Sequence, residues 1–556
     1  MSRKVLIVGG VAGGASAAAR LRRLDEDAEI ILFEKDEHIS FANCGLPYYI
    51  GKVIKERDSL LVQTPEGMRD RFNIEVRVQC EVKRIIRDKK SVELYSHATG
   101  KTYYESYDRL VLSPGAAPFR PDIPGLDHPH VFTIRNIPDT DAIKEFVDQV
   151  KPERVVVVGA GFIGLEMAEN LKRRGVSVIV VELADRILTP LDFEMSALVH
   201  RHIMEKGVNI IRGKGVRELH HEDDWIVAEL TDGTRLNADM VILGLGVRPE
   251  VGLARDAGLE LGATGGIAVD EYLRTSDPDI YAVGDVIEVK DFVTGNPVLI
   301  PLAGPANKQG RIVANNICGR EEKYTATQGT AIIKIFDLAV AVTGLNEVAL
   351  KRYGITYAKS VTHSTSHATY YPGASGLSIK ILFDPDSGKL LGAQVVGGAN
   401  IDKTIDAFSI AMRAGMTVFD LEKLELSYAP PFSNAKTPVN IAGYVAANML
   451  RGDVAMYYWD EVEAIDKDTS VLIDVRTPLE YKMTGTIGGA VNIPVDYLRQ
   501  RLDEIPKDKD IYVFCEIGLR AYVACRILMQ KGYKVKNLSG GYKTYGAAYK
   551  MLNNIV

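Results

Sequence analysis

Two segments of this 556-residue chain repeat one pattern: a short aliphatic run, a glycine-rich turn and then an amphipathic segment. The first runs from Lys4 to Gly14 as KVLIVGGVAGG, and the second runs from Arg154 to Gly164 as RVVVVGAGFIG. Aliphatic strands without alternation are typical of parallel sheets that are covered on both faces. Glycines at such turns let the backbone approach a pyrophosphate, which binds at the helix N-terminus. The pattern predicts an α/β fold with two dinucleotide sites.

Each copy is followed by a second aliphatic strand that ends in an acidic residue. Glu34 lies 20 residues beyond Gly14, and Glu182 lies 18 residues beyond Gly164. A carboxylate at this distance is placed to accept hydrogen bonds from a ribose diol. The second copy keeps all three glycines of the G-x-G-x-x-G pattern, whereas Val11 replaces the middle glycine of the first copy.

The composition restricts the class of protein. With 67 basic and 73 acidic residues, the net charge of −6 gives no indication of nucleic-acid binding. The chain is 46% hydrophobic and 25% charged, as globular proteins are, and its length suggests about three to four domains. No stretch approaches the roughly 18 apolar residues of a membrane helix, and the first aliphatic run is too short for a signal peptide. We therefore expect a cytoplasmic protein without membrane contact.

The five cysteines are too few, and odd in number, for a disulfide framework, so a reducing compartment is expected. Cys80, Cys318 and Cys525 lie in segments that indicate packing roles. Cys44 and Cys515 lie in segments that indicate chemistry.

Cys44 lies in the segment ISFANCGLPY, one short loop after Glu34, and therefore near the first dinucleotide site. A helix is expected after Gly45, and it would lower the pKa of the thiol and favour the nucleophilic thiolate. No second cysteine occurs within the next 35 residues, which excludes an internal redox disulfide on spacing. The oxidised partner must come from outside, as a thiol substrate or as oxygen that forms a sulfenic acid.

Cys515 begins the segment CEIGLR, between an aliphatic strand and a predicted helix. Amides that converge on such a cysteine, with a helix dipole behind it, stabilise a thiolate or persulfide. Four residues separate Cys515 from Arg520, whereas the phosphatase version of this cradle has five. The tighter loop suits a sulfane sulfur.

Residues 1 to about 447 resemble the single-cysteine branch of the pyridine nucleotide–disulfide oxidoreductase family, most closely its coenzyme A disulfide reductases. The motifs that carry this resemblance are GGVAGG at Gly9–Gly14, SFANCGLP at Ser40–Pro47, YAVGD ending at Asp285, YYPG beginning at Tyr370 and LSYAPP beginning at Leu426.

Residues 458–556 resemble a single rhodanese domain through the segment from Asp474 to Arg476 and the loop that begins at Cys515. The usual GHIPGA of that family appears as GTIGGA at Gly485–Ala490, without the histidine and the proline. This departure leaves the fold assignment intact.

The resemblance implies three bound molecules: FAD, NADH or NADPH, and coenzyme A. FAD would be held by the first glycine turn with Glu34 and Asp285, and the nicotinamide cofactor by the second turn with Glu182. The implied FAD-binding residues are Gly9, Ala12, Gly13, Gly14, Glu34, Lys35, Val82, Ser113, Gly115, Asp285 and Ala303. The implied nicotinamide-cofactor residues are Gly159, Gly161, Ile163, Gly164, Glu182 and Gly246.

The resemblance also implies the catalytic groups. Cys44 would form a mixed disulfide with coenzyme A, with Ser40 and Asn43 beside the thiol. Tyr370 and Tyr428 would reach the substrate sulfur from the neighbouring subunit of a homodimer. Cys515 would be the second catalytic cysteine and would carry sulfane sulfur.

Substrate contacts are predicted at both cysteines. Arg20, Arg22 and Arg23 on the first helix either pair with coenzyme A phosphates or form a solvated helix face. Tyr371 and Arg520 complete the implied substrate-binding residues.

The predicted fold class is α/β, with two Rossmann-like domains, an α+β dimerisation domain and a C-terminal α/β rhodanese domain. The FAD domain is discontinuous and covers 1–118 and 252–325, and the NAD(P)H domain covers 119–251. The dimerisation domain covers 326–450, and the rhodanese domain covers 458–556.

The predicted function is FAD-dependent reduction of coenzyme A disulfide, coenzyme A persulfide or polysulfide by NADH or NADPH. Glu182 favours NADH because a carboxylate repels the 2′-phosphate of NADPH, while Arg186 leaves NADPH use open. The expected partners are small thiol, disulfide or persulfide substrates, without nucleic acid, membrane or metal.

Two other functions stay open. One is an NADH oxidase with Cys44 as a sulfenic acid, and the other is an electron-transfer module for a redox protein. Peroxide as the main substrate is disfavoured, because the related NADH peroxidases have a histidine in the first glycine turn where this chain has Ala12.

Overall fold

The computed structural model describes residues 3–222 and 225–555. The chain divides into two compact units. The first unit comprises residues 1–183 and 213–329, and the second comprises residues 184–212 and 330–556.

Residues 3–212 form twelve of the described strands and six of the described α-helices. The strands are β1 Lys4–Val8, β2 Glu29–Phe33, β3 Glu75–Arg77, β4 Cys80–Ile86, β5 Ser91–Ser96, β6 Lys101–Ser106, β7 Arg109–Leu112, β8 Ala116–Pro118, β9 Val131–Phe132, β10 Arg154–Val158, β11 Ser177–Glu182 and β12 Asn209–Arg212. The helices are α1 Ala12–Arg22, α2 Leu46–Ile50, α3 Pro65–Phe72, α4 Ile137–Gln149, α5 Phe162–Arg173 and α6 Phe193–Glu205.

Residues 213–329 complete the first unit. Their strands are β13 Val216–Glu222, β14 Trp225–Leu230, β15 Arg235–Ala238, β16 Met240–Leu243, β17 Val247–Pro249, β18 Ile280–Ala282, β19 Val289–Lys290 and β20 Pro297–Val298. Their helices are α7 Gly252–Asp256 and α8 Ala303–Ile317.

Residues 330–555 complete the second unit. Their strands are β21 Ala331–Ile335, β22 Leu338–Gly344, β23 Ala358–Thr365, β24 Gly376–Phe383, β25 Leu390–Gly397, β26 Ala455–Tyr457, β27 Ser470–Asp474, β28 Val491–Asn492, β29 Asp510–Phe514 and β30 Val535–Leu538. Their helices are α9 Glu347–Arg352, α10 Ile401–Arg413, α11 Val418–Leu421, α12 Pro438–Leu450, α13 Pro478–Thr484, α14 Leu519–Gln530 and α15 Gly541–Leu552.

Two parallel sheets form the centre of the first unit. The first has the strand order β18-β7-β1-β2-β3, and in the second the strands β11-β10-β16-β9 follow one another. Both repeated aliphatic runs become buried strands inside their sheets: β1 is the middle strand of the first sheet, and β10 lies between β11 and β16 in the second. The glycine turns therefore lie at the carboxyl ends of central strands, where parallel sheets bind ligands.

The second unit contains one antiparallel and one parallel sheet. The antiparallel sheet has the order β21-β22-β25-β24-β23, and the C-terminal parallel sheet has the order β26-β30-β29-β27-β28. The side chain of Lys380 on β24 is fully buried, and its Nζ lies 2.9 Å from Asp192 and 2.5 Å from Glu194. Glu347 also pairs with Lys380. This cluster ties the segment 184–212 to the antiparallel sheet.

The predicted α/β fold class is confirmed, and so is the placing of three cysteines in packing positions. Cys80 and Cys525 are fully part of hydrophobic clusters, and Cys318 packs against one of them. Within the described residues, the helices all fall short of the length and apolar character that crossing a membrane requires.

Candidate functional site

The first glycine turn is closed so tightly that it requires glycine. Gly9 has a φ of +95°, and a Cβ there would lie 2.1 Å from the carbonyl oxygen of Ser113. A Cβ on Gly14 would lie 1.9 Å from the carbonyl oxygen of Gly9. A side chain at either position would push helix α1 away from the end of β1.

The N-terminus of helix α1 fits a dinucleotide. Among the described residues, no side chain caps this helix, and its first turn contains no acidic residue. The first backbone amides of an α-helix have no partner within the helix, so they can bind a phosphate. The buried Glu34 accepts a hydrogen bond from the Gly10 amide at 2.9 Å, and burial raises the pKa of this carboxyl. A carboxylate fixed beside the turn fits a ribose.

The second glycine turn repeats this geometry. Gly159 has a φ of +103°, and a Cβ there would lie 2.4 Å from the carbonyl oxygen of Gly244. The Ala160 amide donates to Glu182 at 2.6 Å, as Gly10 does to the first acid. A Cβ on Gly161 would meet no described atom within 4 Å, so the backbone of this turn faces open space. Both turns therefore fit a pyrophosphate, as predicted from the sequence.

Three other residues predicted to bind a cofactor differ in how closely the structure places them to these turns. Ser113 lies beside the first turn, because a Cβ on Gly13 would contact its hydroxyl at 2.9 Å. Asp285 is half-buried, and burial raises the pKa of its carboxyl. Lys35 is exposed and pairs with Glu250 at 3.4 Å.

The remaining residues predicted to bind a cofactor can offer it mainly backbone groups. Gly115 and Gly246 have positive φ values and face open space among the described atoms. The side chain of Val82 packs in the hydrophobic core, so only its backbone is left for a ligand. Ala303 begins helix α8, and Ile163 lies in the first turn of α5.

Cys44 lies in a short 3-10 turn, Asn43–Gly45, that precedes helix α2. Asn43 and Cys44 are both exposed. Ser40 has a φ of +45°, and its amide donates to the carbonyl of Gly10 at 2.7 Å. This bond ties the cysteine segment to the first glycine turn, so the structure brings Ser40, Asn43 and Cys44 to the first dinucleotide site.

The expectation of a lowered pKa for Cys44 is wrong for the chain as the structure shows it. The predicted helix is present, but α2 has only five residues and its first turn contains Pro47. Desolvation by the surrounding protein raises the pKa of the Cys44 thiol, and the carboxylates of Glu166 and Asp285 raise it further. The short helix therefore does not outweigh the partial desolvation of the thiol and the negative charges near it.

Sequence reasoning missed a hydrogen-bonded pair next to Cys44. The hydroxyl of Tyr48 donates to Glu166 at 3.2 Å, which joins α2 to α5. Burial, followed by the charge of Glu169, raises the pKa of Glu166 to about 7. The only sequence signal is position: Tyr48 follows Cys44 by four residues, and Glu166 follows Gly164 by two.

The structure brings the two predicted tyrosines of the second unit together. The hydroxyls of Tyr370 and Tyr428 are 2.9 Å apart. Tyr370 is 74% exposed and Tyr428 is 46% exposed, and the adjacent Tyr371 is exposed as well. Two long aromatic residues exposed side by side are available for contact with a second molecule.

The arginines of helix α1 have different roles. Arg20 donates to Asn315 at 3.0 Å, and desolvation and the charges of Arg311, Arg320 and Arg23 lower its pKa. These four guanidinium groups form a positive cluster that fits phosphate groups. Arg311 and Arg320 were missed because they are nearly 300 residues away in sequence.

Arg22 was wrongly included among the phosphate contacts. Its side chain is buried, and its guanidinium donates to backbone carbonyls. The acceptors are the carbonyls of Phe72, Asp25, Glu26, Ala28 and Asn73. The role of Arg22 is therefore structural, because no donor is left for a ligand.

Cys515 is fully buried directly after β29, and three residues separate it from the start of helix α14. Its Sγ accepts a hydrogen bond from the Gly518 amide at 3.2 Å, and Gly518 has a φ of +94°. A Cβ on Gly541, at the start of α15, would lie 2.5 Å from the carbonyl oxygen of Cys515. Of the several amides expected to converge on Cys515, the described residues supply one, that of Gly518, and helix α14 begins directly after it.

Acidic partners of the Cys515 loop were also missed. Arg520 donates to both carboxylate oxygens of Glu480, at 2.8 and 2.6 Å. Arg476 pairs with Asp474, and both side chains are completely buried. Thr486, which stands where rhodanese domains usually have histidine, donates to Asp474 at 2.9 Å.

Family models match almost the whole chain. The pyridine nucleotide-disulphide oxidoreductase model matches residues 3–310, and the dimerisation domain of those enzymes matches residues 330–439. The rhodanese-like domain matches residues 459–548.

Several known proteins are similar over most or all of their length. A coenzyme A disulfide reductase of Staphylococcus epidermidis is 38% identical over 445 residues, which cover 80% of this chain and 99% of that protein. The crystal structure of reduced CoADR-RHD from Bacillus anthracis superimposes with a TM-score of 0.96 at 52% identity, covering 99% of this chain and 98% of that one. A NAD-dependent persulfide reductase from A. fulgidus gives a TM-score of 0.92 at 39% identity, covering 98% and 100%.

Proposed function

The chain belongs to the pyridine nucleotide-disulphide oxidoreductase family, and we propose that it reduces coenzyme A disulfide, coenzyme A persulfide or polysulfide with NADH. Cys44 is the redox-active cysteine, and the C-terminal rhodanese domain handles sulfane sulfur at Cys515. The observation that carries the proposal is the exposed Cys44, which is tied through Ser40 to the first glycine turn and has no second cysteine within the next 35 residues of the sequence.

The residues of both turns fit the cofactors of the family. The first turn, Glu34 and Asp285 would hold FAD, and the second turn and Glu182 would hold NADH. Bound FAD supplies two-electron chemistry between a reduced nicotinamide and a disulfide. The guanidinium of Arg186 donates to the carbonyls of Leu191 and Thr189 and pairs with Asp185, so a 2′-phosphate would have to displace Asp185 or share these groups. This arrangement supports NADH rather than NADPH.

The chain's own residues perform the thiol chemistry. The Cys44 thiolate attacks one sulfur of a coenzyme A disulfide, which forms a mixed disulfide and releases one coenzyme A thiolate. Glu166 with Tyr48 is placed to hold a proton near the sulfur, because a carboxyl with a pKa of about 7 is partly protonated at neutral pH. Ser40 and Asn43 precede Cys44 by four residues and by one residue.

Substrate binding draws on two further groups. The cluster of Arg20, Arg23, Arg311 and Arg320 would pair with the phosphates of coenzyme A. In a homodimer, Tyr370 and Tyr428 would come from the partner subunit to the substrate sulfur, with Tyr371 beside them. Their exposure and the dimerisation domain support this assembly. The domain boundaries, the individual site residues and the cellular location given above stay predictions.

The test compares two cysteine variants in the full chain. Cys44→Ser should abolish NADH oxidation that depends on coenzyme A disulfide while FAD stays bound, because serine cannot form a mixed disulfide. Cys318→Ser is the matched control, since that cysteine packs against the core and lies outside both glycine turns, and it should keep full activity. Full turnover by Cys44→Ser would refute the role of this cysteine. Oxygen uptake that equals NADH consumption without coenzyme A would favour the oxidase alternative instead.

A further inference from the structure

The N-terminus of helix α15 holds the backbone of the Cys515 loop. The amide of Tyr542 donates to the carbonyl of Cys515 at 2.8 Å, and the amide of Lys543 donates to the carbonyl of Glu516 at 3.0 Å. The first amides of a helix have no partner within the helix, so they are free to form such bonds. A Cβ on Gly541 would lie 2.5 Å from the Cys515 carbonyl oxygen, so helix and loop are in direct contact. The position of Cys515 therefore depends on where α15 begins.

The turn Ser539–Gly540, which precedes α15, contacts the antiparallel sheet of the same compact unit. Strand β23 is an edge strand of that sheet, so its outer backbone groups need partners from elsewhere. The amide of Val361 on β23 donates to the hydroxyl of Ser539 at 3.0 Å. The hydroxyl of Tyr458 donates to the carbonyl of Lys359 on the same strand at 2.9 Å. A Cβ on Gly540 would lie 2.9 Å from Cγ1 of Val361, so the turn packs directly on this strand.

A buried histidine links β23 to α15 through side chains. Nε2 of His363 on β23 lies 2.8 Å from the hydroxyl of Thr544, and Nδ1 lies 2.8 Å from the hydroxyl of Ser378 on β24. The Thr544 hydroxyl also donates to the carbonyl of Gly540 at 3.1 Å. A hydroxyl has one proton, so both bonds of Thr544 require that Nε2–H of His363 donates and that Nδ1 accepts from Ser378. Burial, followed by the charge of Lys543, lowers the pKa of His363 to about 3, so the ring is neutral, as this arrangement needs.

We propose that His363 is a positioning residue for Cys515: by holding Thr544, it fixes the start of α15 and thereby the backbone of the cysteine loop. The proposal rests on the sulfur-carrying function proposed above for Cys515. Thr544 lies in the first turn of α15, one and two residues after the amides that bind the loop. A reacting atom displaced by about 1 Å through a distant substitution can lose a factor of about a hundred in rate. Sulfur transfer in the C-terminal domain therefore depends on the edge strand of the dimerisation domain.

Two readouts in the full-length protein separate position from function. The first is sulfur transfer from thiosulfate to cyanide: the Cys515 thiolate attacks the outer sulfur, the bond between the two sulfurs breaks, and sulfite leaves with its electron pair. Cyanide then takes the sulfur from the Cys515 persulfide as thiocyanate and restores the thiolate. The second readout is alkylation of Cys515 by iodoacetamide, followed through the mass of its peptide, which requires no sulfur transfer.

The first pair of variants separates the two bonds of His363. The amide of asparagine reaches the position of Nδ1 and keeps the bond to Ser378, whereas glutamine reaches the position of Nε2 and keeps the bond to Thr544. His363→Asn should slow sulfur transfer at least about tenfold, because the start of α15 is released. It should also speed alkylation of the buried thiol about tenfold, because the loop opens more often. His363→Gln should stay within about twofold of the wild type in both readouts.

A second pair breaks the same bond from the side of α15. Thr544→Val should reproduce both effects, whereas Thr544→Ser keeps the hydroxyl and should restore wild-type rates. This pair decides the question if the His363→Asn protein does not fold. Tyr545→Phe is the matched control, because it removes a hydrogen bond to Glu463 at 2.9 Å from the next residue of the helix. It should change neither rate.

Wild-type rates in both His363→Asn and Thr544→Val would overturn the proposal. Equal losses in His363→Asn and His363→Gln at the same Tm would overturn it as well, because lost packing rather than the bond to Thr544 would then be responsible. If the wild type moves sulfur through Cys515 from neither thiosulfate nor polysulfide, the function proposed for Cys515 fails. The alkylation rates alone then decide whether His363 positions this cysteine.

Discussion

The two reactive cysteines lie in opposite environments. Cys44 is exposed in a 3-10 turn, and desolvation by the surrounding protein, followed by nearby carboxylates, raises the pKa of its thiol. Cys515 is fully buried, accepts a backbone amide and lies beside a guanidinium. An exposed thiol can attack a large disulfide, whereas a buried sulfur that accepts a backbone amide is held in one position. The difference indicates separate roles for the two cysteines: Cys44 reduces a substrate, and Cys515 carries sulfur.

The largest expected effect is a loss of folding stability around Cys515 that leaves the Cys44 site unchanged. Asp474→Ala leaves the completely buried Arg476 without its main partner, and breaking a buried pair costs ~3–5 kcal/mol. We expect loss of hydrogen-exchange protection in β27 and β29 and loss of sulfur transfer. Reduction at Cys44 should persist. Unchanged exchange of these strands would show that the pair does not support the cradle.

The next effect concerns the backbone behind Cys515. A Cβ in Gly541→Ala would lie 2.5 Å from the carbonyl oxygen of Cys515, at a position with a φ of +62°. We expect at least about tenfold slower sulfur loading, because the loop must shift. Gly532→Ala is the control, since its φ is +82° but nothing described lies within 4 Å. Equal effects of both variants would mean that backbone strain alone, not the loop contact, is responsible.

A smaller effect is expected on substrate binding at the Cys44 site, without a change at Cys515. Arg20→Ala removes one member of the arginine cluster and should raise the KM for coenzyme A disulfide about tenfold, with little change in kcat. A small disulfide without phosphate groups should be reduced at the wild-type rate. Steady-state NADH oxidation measures both KM values. The same KM increase for the small disulfide would contradict a phosphate-binding role of Arg20.

The smallest effect tests the electrostatics of Cys44. Glu166→Gln removes a negative charge that raises the pKa of the thiol, so the thiolate should form at lower pH. After reduction and removal of bound thiol, alkylation at neutral pH should be about threefold faster than in the wild type. A pH profile of alkylation checks the direction. A profile displaced to higher pH would show that Glu166 stabilises the thiolate.

Much of the architecture could be predicted because short-range patterns determine it. Both glycine turns, the acid after β2, the acid that ends β11 and the two reactive cysteines follow from spacing within about 35 residues. The cysteine, tyrosine and rhodanese motifs identified the family, which composition alone does not do.

The contacts that tune the sites could not be predicted. Tyr48 and Glu166 are 118 residues apart in sequence, and Arg520 and Glu480 are 40 apart. Such pairs depend on how elements pack. The role of Arg22 could not be predicted for the same reason. Arg20 and Arg22 both lie on α1, but only the folded structure shows that Arg22 donates to carbonyls of the following loop. The pKa of Cys44 was misjudged because a helix could be predicted but its length and the surrounding charges could not.

The most direct test of the central claim is peptide mass spectrometry of the purified protein after incubation with coenzyme A disulfide. The account predicts a coenzyme A adduct on the peptide that contains Cys44, and release of this adduct by one equivalent of NADH. No adduct on the Cys515 peptide is expected under these conditions. Absence of the Cys44 adduct, or an adduct that NADH does not release, would contradict the account.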